Sequence, residues 1–249
     1  MTVGDAGLPV RAFFTDCSGG VSLPPFDSLN LADHVGDDPQ AVLRNRKIVS
    51  ERAGATVAFL RADHGIAVAH VRANARLPLP LADVLVASES GVALGAIGAD
   101  CAPVLIHDAA SGAVAAVHCG REGLYLGVID AAVAAIIDLR GRNADSGLLT
   151  ASIGPTICGR CYQVPAEMRE RVAGRHRAAR STTRRGAPAL DLPRAIESRL
   201  AELGFGEVVR SDICTMEDER YFSHRRDGLT GRHAGVIVCA GPRTVGHIA

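Results

Sequence analysis

The sequence contains no tryptophan, few aromatic residues and no long apolar run, and each absence narrows the interpretation. Aromatic residues make up 4% of the 249 residues, so we expect a hydrophobic core built mainly from Ala, Val, Leu and Ile. No apolar stretch approaches the roughly 20 residues that a membrane-spanning helix needs, and the N-terminal segment lacks the cationic start and apolar stretch of a signal peptide. These features predict a soluble, cytoplasmic protein that does not bind a membrane.

The sequence also lacks an excess of charge of either sign. Lysine plus arginine total 27, as do aspartate plus glutamate, so the overall charge does not favour a nucleic-acid or anionic membrane partner. A small-molecule substrate is the better expectation.

The seven cysteines are an odd number in a chain long enough to bury a core without disulfides, so we expect buried, reactive or metal-bound thiols.

Alternating apolar runs and turn residues predict a mixed α/β protein of the α+β kind. Short runs rich in Val, Ala, Ile and Leu between residues 56 and 118 are typical of strands. The predicted strands span 10–15, 57–60, 66–71, 83–87, 92–97, 103–107, 113–118, 149–153, 207–210 and 235–239; the predicted helices span 39–54, 122–139, 165–173 and 193–203. We expect one layered domain over residues 1–249, with mixed β-sheets flanked by helices.

Seven arginines between Arg169 and Gly186 form the most basic segment of the chain. A solvated helix end followed by a loop is the favoured interpretation, and a phosphate or nucleic-acid contact is the alternative.

The turn Asp108-Ala-Ala-Ser-Gly112 predicts a five-residue hairpin loop between two apolar strands. Pairing outward from that loop places Val104 opposite Ala116 and brings Cys101 beside His118 or Cys119. The loop that contains Asp63 and His64, between two other predicted strands, is a natural source of a third side chain.

Two imidazoles and a thiolate would suit Zn(II) or copper, and three protein ligands leave a fourth position for water or substrate. Asp63, Asp100 and Glu122 are nearby carboxylates that could move protons or orient a ligand imidazole. The spacing alone also fits an inert buried Cys101 and a hydrogen-bonded His118.

Several longer motifs, in the same order along nearly the whole chain, resemble the YfiH family, whose members carry names that include laccase-domain protein, multicopper polyphenol oxidase and purine nucleoside phosphorylase. These motifs are Gly19–Ser22 with Ser28–Leu31 and His34–Asp38, His64-Gly65, Ala99–Pro103, Ala116–His118 with Gly120 and Gly123, Ile153–Pro155 with Tyr162 and Val164, Cys214-Thr215, and Tyr221–Arg232.

The resemblance implies that His64, Cys101 and His118 bind a metal ion, with zinc expected and copper possible. It also implies a layered α/β fold and a purine nucleoside enzyme that phosphorolyses adenosine, inosine and methylthioadenosine and deaminates adenosine. The expected catalytic residues are Asp100, Cys101 and Glu122, and the expected substrate-binding residues are Arg121, Arg225 and Arg226. A structural role in ion pairs is the alternative for Arg225 and Arg226.

The chain departs from the family pattern at several positions. Cys17 replaces an arginine, and Ala62 replaces the glutamine that usually stands two residues before the histidine of the His-Gly motif. After His118, the usual Ala-Gly-Trp-Arg-Gly reads Cys119-Gly-Arg121-Glu122-Gly. Because two expected cations are absent, phosphate binding could be weaker, although Arg121 could replace one of them.

The alternative functions are an editing hydrolase that removes a wrongly incorporated amino acid from a peptidoglycan precursor, and a metal-binding module with weakened catalysis. Phenol oxidation is disfavoured because one three-ligand site lacks the several coppers of multi-electron oxygen chemistry.

Cys158 and Cys161 form a C-x-x-C motif without a second pair, so local packing is favoured there over metal or redox chemistry. For Cys119 and Cys214, lining of a pocket is favoured over nucleophilic catalysis.

Overall fold

The computed structural model describes residues 3–76, 79–140 and 149–241. One sheet has five strands, which are β1 (Val3–Asp5), β2 (Ala12–Thr15), β3 (Val57–Phe59), β6 (Ala93–Gly98) and β13 (His233–Val238). Their order is β1-β2-β13-β6-β3. Strands β3 and β6 are parallel, and the other neighbours are antiparallel. The edge strand β1 was not among the predicted elements.

The second sheet has six strands, which are β4 (Val68–His70), β5 (Val84–Ala87), β7 (Ala102–Asp108), β8 (Val114–Cys119), β9 (Leu149–Ile153) and β12 (Glu207–Arg210). Their order is β12-β9-β7-β8-β5-β4. The outer pairs are parallel and the inner pairs are antiparallel. The predicted mixed sheets of a single α+β domain are confirmed.

Side-chain alternation on the six-stranded sheet separates two hydrophobic cores. On β5, Leu85 and Ala87 pack into a core shared with the five-stranded sheet, whereas Val84 and Val86 pack into a second core with the helices. The sheet is therefore apolar on both faces, as expected for a central layer. His118 has the same parity on β8 as Ala116, a residue of the core between the sheets, so its side chain lies on the face toward the other sheet.

The helices are α1 (Pro39–Ala53), α2 (Arg121–Leu126), α3 (Val128–Arg140), α4 (Ala166–Arg175), α5 (Leu192–Glu202) and α6 (His224–Asp227). Helix α1 begins and ends as predicted, with an Asp38 cap and a left-handed Gly54. The prediction of one helix over 122–139 was wrong, because Gly127 adopts φ +102° and ends α2. No helix in the described part of the chain is long and apolar enough to cross a membrane.

The arginine-rich segment has more structure than predicted. After α4 and a short 3-10 turn, the strands β10 (Arg180–Thr182) and β11 (Pro188–Leu190) form an antiparallel hairpin. Glu170 pairs with Arg180, and Glu217 pairs with Arg184. The predicted loop is wrong because strand pairing and cross-segment ion pairs organise these residues.

The central β7–β8 hairpin forms as predicted, but its register differs by one residue. Leu105, not Val104, lies opposite Ala116. The loop has four residues, since Asp108 N–H donates to Ala113 O and Gly112 N–H donates to Asp108 O. Gly112 has φ +73°, which permits the tighter turn.

Candidate metal centre and adjoining pocket

Three side chains from separate segments meet at the open end of the β7–β8 hairpin. Cys101 directly precedes β7, His118 lies near the end of β8, and His64 lies in the connection after β3. One nitrogen or sulfur atom of each lies within 4.8 Å of the others. The Sγ of Cys101 lies 3.9 Å from Nε2 of His64, and the two imidazole rings pack edge to face. The structure therefore brings together the three predicted ligands.

Asp83 connects two of these ligands. Its Oδ1 accepts a 2.8 Å hydrogen bond from Nδ1 of His118, and both side chains are buried. The same carboxylate accepts hydrogen bonds from the backbone N–H groups of Asp63, His64 and Gly65. This arrangement leaves Nε2 of His118 available as a ligand and orients the ring.

Sequence reasoning missed Asp83 because it was read as the first residue of a predicted strand. The available signal was a carboxylate directly before the apolar run Val84–Ala87. Burial raises the pKa of Asp83, but hydrogen bonding to His118 and to backbone N–H groups outweighs burial and lowers it. The carboxylate is thus ionised when it accepts these bonds.

Gly120 leaves the space that the three ligands share. A Cβ atom at this position would lie 2.9 Å from Sγ of Cys101 and 3.1 Å from Cδ2 of His64. Contacts below 3.0 Å force neighbouring atoms to move, so a side chain at Gly120 would disturb the cluster. The lack of space for a side chain therefore explains why a glycine stands at position 120 of the motif.

The Cys101 thiolate and the protonated His118 imidazole stabilise each other. Burial raises the pKa of Cys101, but the charge of His118 and hydrogen bonds with both histidines outweigh it and lower the pKa to about 6. Burial lowers the pKa of His118, but the Cys101 thiolate and Asp83 raise it to about 9. A thiolate and two imidazoles fit a borderline metal ion such as Zn(II) or copper.

A cavity of about 470 Å³ adjoins the cluster. This volume is within the usual range for small-molecule sites. Its lining includes the triad and Asp100, Arg121, Glu122 and Arg225 from the predicted site, together with His34, Ala62, Ile97, Gly98, Ala99, Ile157, Tyr162, Leu192, His224 and Arg232. Among these, Tyr162, His34 and Arg232 belong to the quoted motifs but were not assigned to the site.

Asp100 is buried and adopts φ +83°. Its Oδ1 accepts 2.7 Å hydrogen bonds from the hydroxyls of Thr215 and Ser223, and its Oδ2 accepts one from the backbone N–H of Arg225. The carboxylate therefore holds two segments of the C-terminal motifs beside Cys101.

Glu122 and Arg121 lie side by side at the start of α2 but have different partners. Arg171 donates two hydrogen bonds to the Glu122 carboxylate and lowers its pKa. Arg121 donates to the Met168 thioether, and its buried Nε has no partner among the described residues. Arg121 also lines the cavity.

Arg225 and Arg226 separate although they are adjacent in sequence. Arg225 lies over the Tyr162 ring, lines the cavity and donates to Gln163 O. Arg226 is not among the residues that line this cavity, and it donates instead to Asp227 and to three backbone carbonyls. Only Arg225 of this pair is placed to meet a ligand in the cavity.

Comparisons with known proteins agree with this architecture. Residues 11–240 match the family model described as multi-copper polyphenol oxidoreductase laccase. A Streptomyces coelicolor protein named purine nucleoside phosphorylase is 45% identical over 90% of this chain and 93% of its own length. A Mycobacterium tuberculosis protein of the same name is 39% identical over 94% of both chains.

Solved structures show the same fold. A Neisseria meningitidis protein of family DUF152 has a TM-score of 0.85 and 34% identity, covering 97% of this chain and 99% of its own. The YfiH protein of Bacillus licheniformis has a TM-score of 0.81 and 31% identity, covering 92% of each chain.

Proposed function

Because the chain belongs to the multi-copper polyphenol oxidoreductase laccase family, which includes the YfiH proteins, we propose that it is a zinc-dependent purine nucleoside phosphorylase. Adenosine, inosine and methylthioadenosine are the proposed substrates, with deamination of adenosine as a second reaction. The observation that carries this proposal is the union of the His64–Cys101–His118 triad with an arginine-lined cavity. The names of the relatives support the same substrate class.

The three ligands would hold the ion, which as a Lewis acid can polarise a substrate group and activate water. Within the described residues this cluster has three candidate ligands and faces a cavity. A site that only stabilises the fold usually has four protein ligands. This difference favours an enzyme over a silent metal-binding module.

The cations of the cavity are suited to phosphate. Arg121 has an unused Nε donor, and Arg225 and Arg232 line the same space. Arginine binds phosphate through several N–H groups in a fixed plane. We assign phosphate binding to these three residues, and Arg226 to holding the backbone of its own loop.

Proton transfer is assigned to Glu122, because its pairing with Arg171 keeps an ionised carboxylate at the edge of the cavity. Asp100 is assigned a positioning role instead of the predicted proton transfer, since its oxygens accept three hydrogen bonds that place Thr215, Ser223 and Arg225.

The experiment is incubation of the purified protein with adenosine, with and without phosphate, followed by chromatography. We expect phosphate-dependent adenine and ribose 1-phosphate, together with some inosine. Cys101→Ala should reduce turnover by more than about 100-fold. Cys239→Ala is the matched control, because Cys239 is buried in the core outside the cavity and its loss should leave turnover unchanged.

Elemental analysis of protein purified without added metal tests the choice of zinc over copper. Absence of nucleoside turnover in metal-loaded protein would contradict the proposal. Release of L-serine from a nucleotide-linked muramyl precursor, or copper-dependent oxidation of a phenol, would identify an alternative reaction.

A further inference from the structure

A second group of metal-ligating side chains lies outside the triad. It consists of Cys158, Cys161, Cys214 and Glu217, and one ligand atom from each lies within 4.8 Å of the others. The first two residues form a C-x-x-C motif, and the last two form a C-x-x-E motif in a distant segment. The second pair that sequence reasoning found missing is therefore present, with a carboxylate in place of one thiol.

Both pairs lie on tight turns of the same kind. Cys161 N–H donates to Cys158 O, and Glu217 N–H donates to Cys214 O, each at 3.0 Å. A bridge joins the two turns, since Thr156 pairs with Cys214 and accepts a hydrogen bond from Thr215 N–H. The backbone thus presents the four side chains at one place without needing a ligand to gather them.

Backbone N–H groups donate to the sulfur atoms of Cys158 and Cys214, and Sγ of Cys161 donates to the Glu217 carboxylate at 3.2 Å. Cys158 N–H donates to Sγ of Cys214 at 3.3 Å, and the N–H groups of Arg160 and Cys161 donate to Sγ of Cys158. Arg184 pairs with Glu217 and offsets part of the negative charge that several thiolates would create.

We propose that Cys158, Cys161, Cys214 and Glu217 form a second metal site, which binds a thiophilic divalent cation with Zn(II) as the best match. Three sulfurs and one oxygen complete a tetrahedral set without an open position, which is typical of structural zinc sites. Sulfur ligands at about 2.3 Å from zinc lie about 3.8 Å apart in a tetrahedron. The ion would therefore draw these atoms together by about 1 Å at most.

The location of this site gives it a structural task. Thr156 donates its hydroxyl to the backbone oxygen of Asp100, and Thr215 donates to the Asp100 carboxylate. These two threonines adjoin the metal-binding turns, and Tyr162 directly follows Cys161. A bound ion would hold together the two segments that form this wall of the cavity.

The test counts metal ions per chain and then isolates the second site. Mass spectrometry of the elements in wild-type protein should find about two ions per chain, and a His64→Ala, His118→Ala double variant should keep about one. Adding Cys161→Ser to the double variant should remove that ion, whereas adding Cys239→Ser, at a buried cysteine outside both clusters, should not.

Cobalt(II) provides a spectroscopic readout independent of activity. Titration of the metal-free double variant with Co(II) should produce thiolate-to-cobalt charge-transfer absorption and the intense visible bands of tetrahedral cobalt. Glu217→Gln should keep the sulfur bands and weaken Co(II) binding by about 10-fold or more. This variant alters a side chain at the surface and keeps the test decisive if Cys161→Ser does not fold.

A double variant that holds no metal and shows no charge-transfer band with Co(II) would overturn the proposal. Identification of a disulfide between Cys158 and Cys161 in protein purified and kept under reductant would also overturn it. Neither result affects the proposed nucleoside activity, which depends on the triad.

Discussion

The two ends of the β7–β8 hairpin each bury an aspartate against a basic side chain, and the basic residue determines what each end can do. At the turn, Asp108 pairs with Arg140 at 2.7 Å, and both side chains are almost fully buried. At the open end, Asp83 pairs with His118 at 2.8 Å in similar burial. Arginine stays protonated, whereas histidine can release its proton and bind a metal ion. The turn end is therefore suited to stability and the open end to chemistry.

The largest expected effect in this comparison is that of Asp108→Asn. The substitution leaves the Arg140 charge buried without its carboxylate, and removal of one partner from a buried pair typically costs about 3–5 kcal/mol. Denaturant unfolding should show this loss, while the metal content stays unchanged. Glu51→Gln is the control, since Glu51 forms an exposed pair with Lys47 that should contribute less than about 1 kcal/mol.

The pH dependence sharpens this test. Burial raises the pKa of Asp108, but hydrogen bonds from Arg140 and Ser111 outweigh it and lower the pKa below the ordinary 3.8. The Asp108–Arg140 pair therefore stabilises the fold fully at pH values above 3.8. This stabilisation is lost as the pH falls through the lowered pKa of Asp108. A constant difference between wild type and Asp108→Asn across the acid range would contradict the assignment.

The next effect is expected at the open end, where Asp83→Asn should weaken metal binding by the triad about 10-fold to 100-fold. Asparagine cannot match the charge that Asp83 offers to His118 and to the backbone around His64. Competition with a chromophoric chelator measures the affinity. If the affinity is unchanged, Asp83 does not orient the side chains of the triad.

The smallest change is a shift in reactivity of the metal-free protein. Because the pKa of Cys101 is lowered to about 6, the thiolate fraction rises as the pH increases through that value. Alkylation by iodoacetamide, followed by peptide mapping, should show its midpoint near pH 6. In Asp83→Asn the midpoint should move upward. Without the Asp83 charge the protonated form of His118 is less stable, so the Cys101 thiolate loses part of the positive charge that stabilises it.

Cys119 is the matched control for that experiment. It is buried among the residues of the helix-facing core, and burial raises its pKa well above the ordinary 9.0. It should stay unmodified over the same pH range. A common midpoint for both cysteines would contradict the different environments of the two sheet faces.

The open end of the hairpin was largely predictable because its determinants are local. Apolar alternation predicted β7 and β8, and their pairing brought Cys101 to His118 despite an error of one residue. That error arose in the turn, where the left-handed Gly112 shortens the loop. The break at Gly127 was missed for a similar reason, since an apolar helical period continues across it.

The partners of the ligands were less predictable because they come from distant segments. Nothing in the local pattern around Asp108 identifies Arg140 as its partner, and Asp83 meets His118 only when β5 pairs with β8. The C-x-x-E motif is likewise unremarkable until Thr156 pairs with Cys214. Each of these contacts depends on sheet order, which sequence periodicity does not specify.

The sequence by itself determined most strand and helix periods and the pairing of Cys101 with His118, because these follow from side-chain type and short-range pairing. The resemblance to the YfiH family added His64 and Gly120 to that pair. The tertiary structure decided which arginines reach the cavity and which aspartate orients His118. It also decided which carboxylate lies beside Cys158, Cys161 and Cys214. The physical reason is that burial and long-range packing, not local preference, determine whether a charged side chain meets a partner or remains available to a ligand.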